Sequence, residues 1–283
     1  MYRSWLFVPG NQEKNLNKVK DFQADVIIYD LEDAVPVNEK VIARQKVKEA
    51  ICKISQQVNF VRVNDLTTPY FIEDLDGIIA ENLSGIVLPK VNNQHDIIIA
   101  AYLLGQMEEK YGLEQGSLAI VPLIETASGI QNVQEIVCAS NRILCLCFGA
   151  EDFMLDLHID AGEMGENLMY ARTQLVIASK AAGKEPPVDS VFVDFKDEAG
   201  LEKETERAKC AGFQGKLLIH PKQIAPVHHA FSPTREQVKE AEKIIALYGE
   251  SLKNGKGALE IDGKMIDAPV VERARKVLSH ADM

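Results

Sequence analysis

The sequence has no apolar run of the roughly 18 residues that would cross a bilayer. Leu6-Phe7-Val8, ahead of Pro9-Gly10, is too short for a signal-peptide core. Basic charge is in deficit: 31 Lys and Arg face 42 Asp and Glu, a formal net charge of −11. That balance argues against nucleic acid or an anionic membrane as the main partner, and leaves an anionic small substrate open, because local charge decides that case. Cysteine is scarce and unpatterned. The five (Cys52, Cys138, Cys145, Cys147 and Cys210) are odd in number, contain no CxxC pair and match no zinc spacing. No GxGxxG follows a strand-like run, so a dinucleotide fold has no support. These absences point to a protein of the reducing cytoplasm.

What is present is a βα alternation. Eight short apolar runs, 4–8, 25–29, 59–63, 85–88, 118–124, 143–148, 190–193 and 216–219, are continuous rather than alternating, as strands buried on both faces require. Segments with polar faces lie between them, at 11–22, 39–53, 94–111 and 165–182. Eight βα units at about thirty-residue spacing predict a parallel (β/α)8 barrel of the TIM type over residues 1–231. A C-terminal extension, 232–283, follows. Ser232-Pro233 reads as a helix start, a hairpin follows at 258–269, and a final helix spans 270–278. The extension is too short for a domain and is expected to pack on its own barrel or a neighbour's.

In such barrels chemistry gathers where the strands end. Here the second strand leads into Asp30-Leu-Glu32-Asp33, the third into Arg62-Val-Asn64 and the fourth into Pro89-Lys90. The fifth leads into Glu125-Thr126, the sixth into Gly149-Ala-Glu-Asp152, the seventh into Asp194 and Asp197, and the eighth into His220-Pro221. Any one charged residue there could simply mark where the chain meets water. Seven such ends in a row converge on one pocket. Glu125 and Asp152, from adjacent strands, suit a hard cation such as Mg²⁺ together with water. Arg62 offers a planar fork for a carboxylate. Together they suit a substrate with a carboxylate beside a hydroxyl or carbonyl.

These residues lie in segments that resemble the HpcH/HpaI aldolase superfamily, and within it the citrate lyase β-subunit-like branch. The segments are Arg3-Ser-Trp-Leu-Phe-Val-Pro-Gly10, Asp30-Leu-Glu-Asp-Ala-Val35, Arg62-Val-Asn64, Leu88-Pro-Lys90, Ile124-Glu-Thr126, Phe148-Gly-Ala-Glu-Asp152, Val193-Asp-Phe-Lys-Asp197, Gly215-Lys-Leu-Leu-Ile-His-Pro221 and Gly263-Lys-Met-Ile-Asp267. They run in family order over nearly the whole chain. The resemblance implies a carbon–carbon lyase with Mg²⁺ on Glu125 and Asp152, and a substrate carboxylate on Arg62. It implies citryl, malyl or citramalyl thioesters of CoA or of an acyl carrier protein. It further implies a homo-oligomer, a trimer or a multiple of one, in which Asp267 reaches a neighbouring subunit's site as acid or base.

Other positions keep two readings. Asp30, Glu32 and Asp33 either hold metal-bound waters from behind the ligands or pair with Arg44 or Lys90. Lys90 either neutralises those acids or contacts substrate. His220 is either a general acid or a hydrogen-bonded structural histidine. Arg3, Lys14 and Lys18 either meet substrate or CoA phosphates or belong to a solvated surface. Lys14 and Lys18, four apart, would share a helix face.

Overall fold

Eight strands pair in parallel, each with the next, and the last returns to the first, closing a barrel. The structure is a computed structural model and describes residues 2–53, 57–160, 165–255 and 257–281. The strands are β1 (Ser4–Pro9), β2 (Val26–Asp30), β3 (Val58–Arg62), β4 (Gly85–Leu88), β5 (Ala119–Ile124), β6 (Cys147–Phe148), β7 (Val188–Asp189) and β8 (Gly215–Leu218). The helices that follow them are α1 (Glu13–Leu16), α2 (Lys40–Lys53), α3 (Phe71–Ile78), α4 (Gln94–Tyr111), α5 (Ala127–Gln131), α6 (Val133–Cys138), α7 (Ala150–Leu157), α8 (Met169–Ala181), α9 (Glu198–Ala211) and α10 (Ile224–Phe231).

Alternate strand residues fill the interior. Trp5, Val26, Ile28, Phe60, Val87, Val121, Leu123, Cys145, Cys147, Val188 and Leu217 form one buried cluster. The Trp5 and Phe60 rings sit 5.5 Å apart at its centre. Cys145 and Cys147 are buried free thiols, as the alternation of their strand implies. Among the described residues no helix is long and apolar enough to cross a membrane.

Three expectations need correction. The seventh strand is not 190–193 but Val188–Asp189, and Val193 is exposed. The apolar run misled because β7 carries a charged residue on its outer face. Asp189 is fully buried there, 2.8 Å from Arg172 of α8 and 3.0 Å from the equally buried Lys216 of β8. Lys216 also reaches Glu204 of α9 at 2.7 Å. Two cations and two anions thus close a network that fastens α8 and α9 to the sheet.

Segment 11–22 is not one helix either. It breaks into α1 and a 3-10 turn at Val19–Asp21, so Lys14 lies in α1 and Lys18 beyond its end. They do not share a helix face.

The chain divides into two compact units, Met1–His228 and His229–Met283. In the second, α11 (Arg235–Lys253) begins two residues later than Ser232-Pro233 suggests. Thr234 caps it, in a reciprocal capping box with Gln237. Strands β9 (Leu259–Ile261) and β10 (Lys264–Ile266) form an antiparallel hairpin. Its turn residues Asp262 and Gly263 both have positive φ, 49° and 78°, as a tight hairpin turn requires. The last helix, α12 (Ala268–Ala281), packs on α11.

The buried network generates a stability prediction. Burial alone would push the Asp189 carboxyl up, but Lys216 and Arg172 outweigh it and hold it below the ordinary range. A carboxyl depressed in the folded state adds stability above its unfolded pKa, and that stability is lost as pH falls through the folded value. Asp189→Ala should cost about 3–5 kcal/mol by leaving the buried cations Lys216 and Arg172 with only Glu204, at 2.7 and 3.5 Å, between them. Urea unfolding at pH 7 measures the loss. The acid limb of a stability–pH curve should be flatter in the variant than in the parent.

Candidate active site

The polar residues at the ends of β2 to β6 lie on one face of the barrel, because every strand runs the same way. Asp30, the last residue of β2, is 2% exposed. Its Oδ1 accepts from Arg62 Nε at 2.7 Å and its Oδ2 from Arg62 Nη2 at 2.6 Å. The backbone N–H groups of Glu32 and Ala34 complete its shell. Arg62 Nη1 reaches Glu32 Oε2 at 3.1 Å and Asp33 Oδ2 at 3.2 Å. The guanidinium also lies over the Phe7 ring, 4.8 Å from its centroid. Burial would lower the Arg62 pKa, yet Asp30, Glu32 and Asp33 raise it further above its ordinary value, so it is a permanent cation. One edge of its fork is therefore held by Asp30. A substrate carboxylate would meet Nη1, in exchange for Glu32 or Asp33.

Arg44 takes no part, contrary to one expectation. It turns away from the barrel mouth to Glu73 and Asp74, each at 2.7 Å. The acids of the Asp30–Asp33 segment pair with Arg62, and Glu32 also with Lys90.

Glu125 follows β5 directly and is 2% exposed. Its Oε1 accepts from the backbone N–H of Lys90 at 2.7 Å. Burial pushes its carboxyl up to about 8, helped by the charges of Glu32 and Asp152. Glu32 is likewise raised to about 7 by burial, with Arg62 pulling it down and Asp33 pushing it up. Lys90 Nζ stands 3.3 Å from Glu32 Oε1, a buried oxygen that lacks a geometrically satisfactory hydrogen-bond donor. Asp152, in the first turn of α7, is half-buried. The pocket thus holds more carboxylate than its fixed cations neutralise. Among the described residues no three Asp, Glu, His or Cys side chains form a metal cage, so protein ligation would rest on the pair Glu125 and Asp152. An oxygen-only pair with a charge surplus fits a hard divalent cation that keeps several waters.

Two local features make room for this pair, and sequence reasoning missed both. A Cβ on Gly149 would stand 2.5 Å from Glu125 Oε2, so only glycine leaves Glu125 its place. Lys90 has φ +53°, a conformation that costs a residue with a Cβ roughly 1–2 kcal/mol. In this conformation its N–H donates to Glu125. A glycine before an acidic helix start is a weak signal in sequence, and a left-handed lysine gives none.

The other candidates lie elsewhere. Arg3 precedes β1 and sits by Asp25, which precedes β2, at 3.6 Å. That is the opposite face of the barrel from the strand ends, which takes Arg3 away from the pocket where a substrate contact was expected. Its place before the first strand residue is the reason. Lys14 is exposed. Lys18 lines a cavity of about 430 Å³ with Phe7, Pro9, Ile219 and His220, on the same face as the acids. His220 caps the turn at Pro221–Gln223, its Nδ1 accepting from the Lys222 N–H at 3.1 Å, and its ring stacks on Phe195. Asp197 caps α9. Asp267 belongs to the second unit, where it precedes α12 and its carbonyl accepts the N–H groups of Val270 and Val271.

Comparison with known proteins agrees with this geometry. The family model for HpcH/HpaI aldolase/citrate lyase matches residues 3–221. The citrate lyase subunit beta of Leuconostoc mesenteroides subsp. cremoris is 35% identical, over 99% of this chain and 93% of its own. The mitochondrial citramalyl-CoA lyase of Homo sapiens is 32% identical, over 99% and 85%. The crystal structure of CitE from Mycobacterium tuberculosis, in complex with magnesium, acetoacetate and coenzyme A, superposes with a TM-score of 0.85. It is 26% identical, and the match covers 100% of this chain and 98% of that one. Fold, strand-end residues and full-length similarity agree: the chain belongs to the HpcH/HpaI aldolase/citrate lyase family.

Proposed function

We propose that this protein is a Mg²⁺-dependent carbon–carbon lyase that cleaves a 3-hydroxy-acyl thioester of the citramalyl-, malyl- or citryl-CoA type to an acetyl thioester and a 2-oxo acid. The observation that carries the reading is the surplus of carboxylate around buried Glu125, with half-buried Asp152 among its neighbours, beside the fixed cation Arg62. Relatives whose names are citrate lyase subunit beta and citramalyl-CoA lyase support it, as does the CitE structure with magnesium and coenzyme A.

Glu125 and Asp152 would hold the ion, which when bound supplies Lewis-acid stabilisation of negative charge on substrate oxygen. The chain's own residues do the rest. Arg62 Nη1 binds the substrate carboxylate and fixes the neighbouring hydroxyl in the pocket. Asp30 holds the guanidinium edge-on, so this cation does not have to be ordered when substrate arrives. Glu32 and Asp33 stand behind it, and Lys90 offsets part of their charge. The hydroxyl proton passes to solvent water, and the oxygen electron pair it leaves behind forms the C=O of the ketone. The C2–C3 bond breaks, and its electron pair becomes the thioester enolate. An acid then protonates that carbon. We assign that acid to Asp267, delivered by the 232–283 extension of a neighbouring copy in a homotrimer or a multiple of one. Lys18 is the contact for a CoA phosphate, on the face where substrate enters, with exposed Lys14 a weaker second. The protein would act in the cytoplasm.

A second reading keeps the chemistry and changes the carrier. Identity to citrate lyase subunits beta reaches 35%, which favours a subunit acting on citryl-acyl carrier protein within a complex. An aldolase for free 2-oxo acids would need no thioester contact.

The test is release of acetyl-CoA from malyl-, citramalyl- and citryl-CoA by the purified chain, with and without Mg²⁺. Mg²⁺-dependent release from one of them names the substrate. No release from any, followed by turnover of citryl-carrier protein, assigns the second reading. Glu125→Gln and Asp152→Asn should each lower turnover by more than about 100-fold, beyond what residues behind metal ligands usually cost. Retained activity in either variant would sink the metal assignment.

Gly149→Ala is a separate prediction. Its new methyl meets Glu125 at 2.5 Å, so Glu125 must shift. Turnover should fall roughly 10- to 100-fold while the thermal midpoint stays within a few degrees. A variant of parental activity would show that Glu125 needs no defined place.

A further inference from the structure

Glu125 is held from two sides, and one side chain reaches both. On one side its Oε1 accepts from the Lys90 N–H at 2.7 Å. On the other, the next residue, Thr126, begins α5 and caps it, its Oγ1 accepting from the Gly129 N–H at 3.0 Å. Asn92 lies between them. Its Nδ2 donates to the Lys90 carbonyl at 2.9 Å, and its Oδ1 accepts from Thr126 Oγ1 at 2.5 Å. Its backbone is pinned in turn. The Asn92 N–H donates to Asp96 Oδ2 at 2.8 Å, and its carbonyl accepts from Asn132 Nδ2 at 2.8 Å. Asp96 closes the capping box of α4 with Asn93, so the pin is anchored on an eighteen-residue helix.

This arrangement answers a question that Lys90 raises. A lysine in left-handed backbone geometry relaxes to an ordinary conformation unless its surroundings hold it. Its ammonium does not supply that hold, since Nζ is part-exposed and only 3.3 Å from one Glu32 oxygen. The carbonyl of the same residue is gripped by Asn92. We propose that Asn92 is a positioning residue: its carboxamide locks the Lys90 backbone against the end of β5, so that the Lys90 N–H and Thr126 together fix the Glu125 carboxylate. Asn92 touches neither ion nor substrate and acts through Glu125.

The inference rests on the metal reading above only for its consequence, not for the clamp itself. Two measurements separate them. The first is hydrogen–deuterium exchange at the Lys90 amide in the full chain, without metal. Asn92→Ala should lose protection at that amide, while the amides of α4 and the thermal midpoint stay close to the parent's. The second is calorimetric titration with Mg²⁺. Asn92→Ala should bind roughly 10- to 100-fold more weakly, as loss of a residue behind a metal ligand does. Lys90→Gly and Lys90→Ala both lack the ammonium but differ in tolerance of positive φ. Lys90→Gly should therefore bind Mg²⁺ tighter than Lys90→Ala, by on the order of tenfold. Unchanged Lys90 protection in Asn92→Ala overturns the clamp, whatever the metal does. Equal Mg²⁺ affinity in parent and Asn92→Ala, or in the two Lys90 variants, overturns its role in positioning Glu125. A parent that binds no Mg²⁺ refutes the metal reading instead, and the clamp then stands or falls on the amide protection.

Discussion

A carboxylate taken out of water must be paired, hydrogen-bonded or protonated, and the upper face of this barrel is organised by that requirement. Asp30, Glu32 and Glu125 are all at least nine-tenths buried at the strand ends. The protein treats them differently. Asp30 receives two bonds from Arg62 and two from backbone N–H groups. Glu32 receives one short contact from Arg62 and a longer one from Lys90. Glu125 receives a single backbone N–H and faces two further carboxylates. The gradient runs from full compensation to near none between the end of β2 and the end of β5. It is this uneven distribution, rather than the number of acids, that sets one position apart for an exchangeable cation.

The buried charges on the outer face make the contrast plain. Asp189, Lys216, Arg172 and Glu204 balance one another and each has a partner within 3.0 Å. Nothing there is left over for a ligand. The two clusters use the same residue types in the same barrel. One is closed and fastens helices; the other is open on one side. Removing a partner from a closed cluster exposes a charge to a low dielectric and destabilises the fold. Removing one from the open cluster changes how the remaining acids share protons and cations, a functional change before it is a structural one.

Much of this was legible in the sequence, for physical reasons that also explain the misses. Strands buried on both faces must be apolar throughout, so seven of the eight appear as runs within a few residues of β1 to β6 and β8. The sixth run is longer than its strand, because Ile143 joins the sheet only as an isolated bridge. The seventh strand failed because its outer residue is a compensated charge, and compensation is a property of space rather than of sequence. Glu125, Asp152, Arg62 and the Asp30–Asp33 acids come together because parallel strands deliver their ends to one face. Arg3 does not, since it stands at the start of its strand. Of the two cations open as partners for these acids, Lys90 pairs and Arg44 does not: its helix points it at α3, and periodicity gives no partner. The hairpin turn at Asp262-Gly263 was readable because it requires positive φ. The same conformation at Lys90 was not, because lysine does not advertise it.

That last residue shows how the fold turns a local cost to use. A left-handed lysine is disfavoured in isolation, and its unfavourable geometry persists only where neighbours over-determine it. Here the neighbours are the end of β5, through Glu125, and the loop into α4, through Asn92. The bond from Lys90 to Glu125 therefore does two things at once. It satisfies one oxygen of a buried acid, and it leaves the other oxygen directed toward Gly149, where the absence of a side chain leaves it room. A stronger donor in place of this N–H, such as a lysine ammonium, would neutralise Glu125 permanently. A single neutral donor orients the carboxylate without cancelling its charge, which is the condition a cation site must meet.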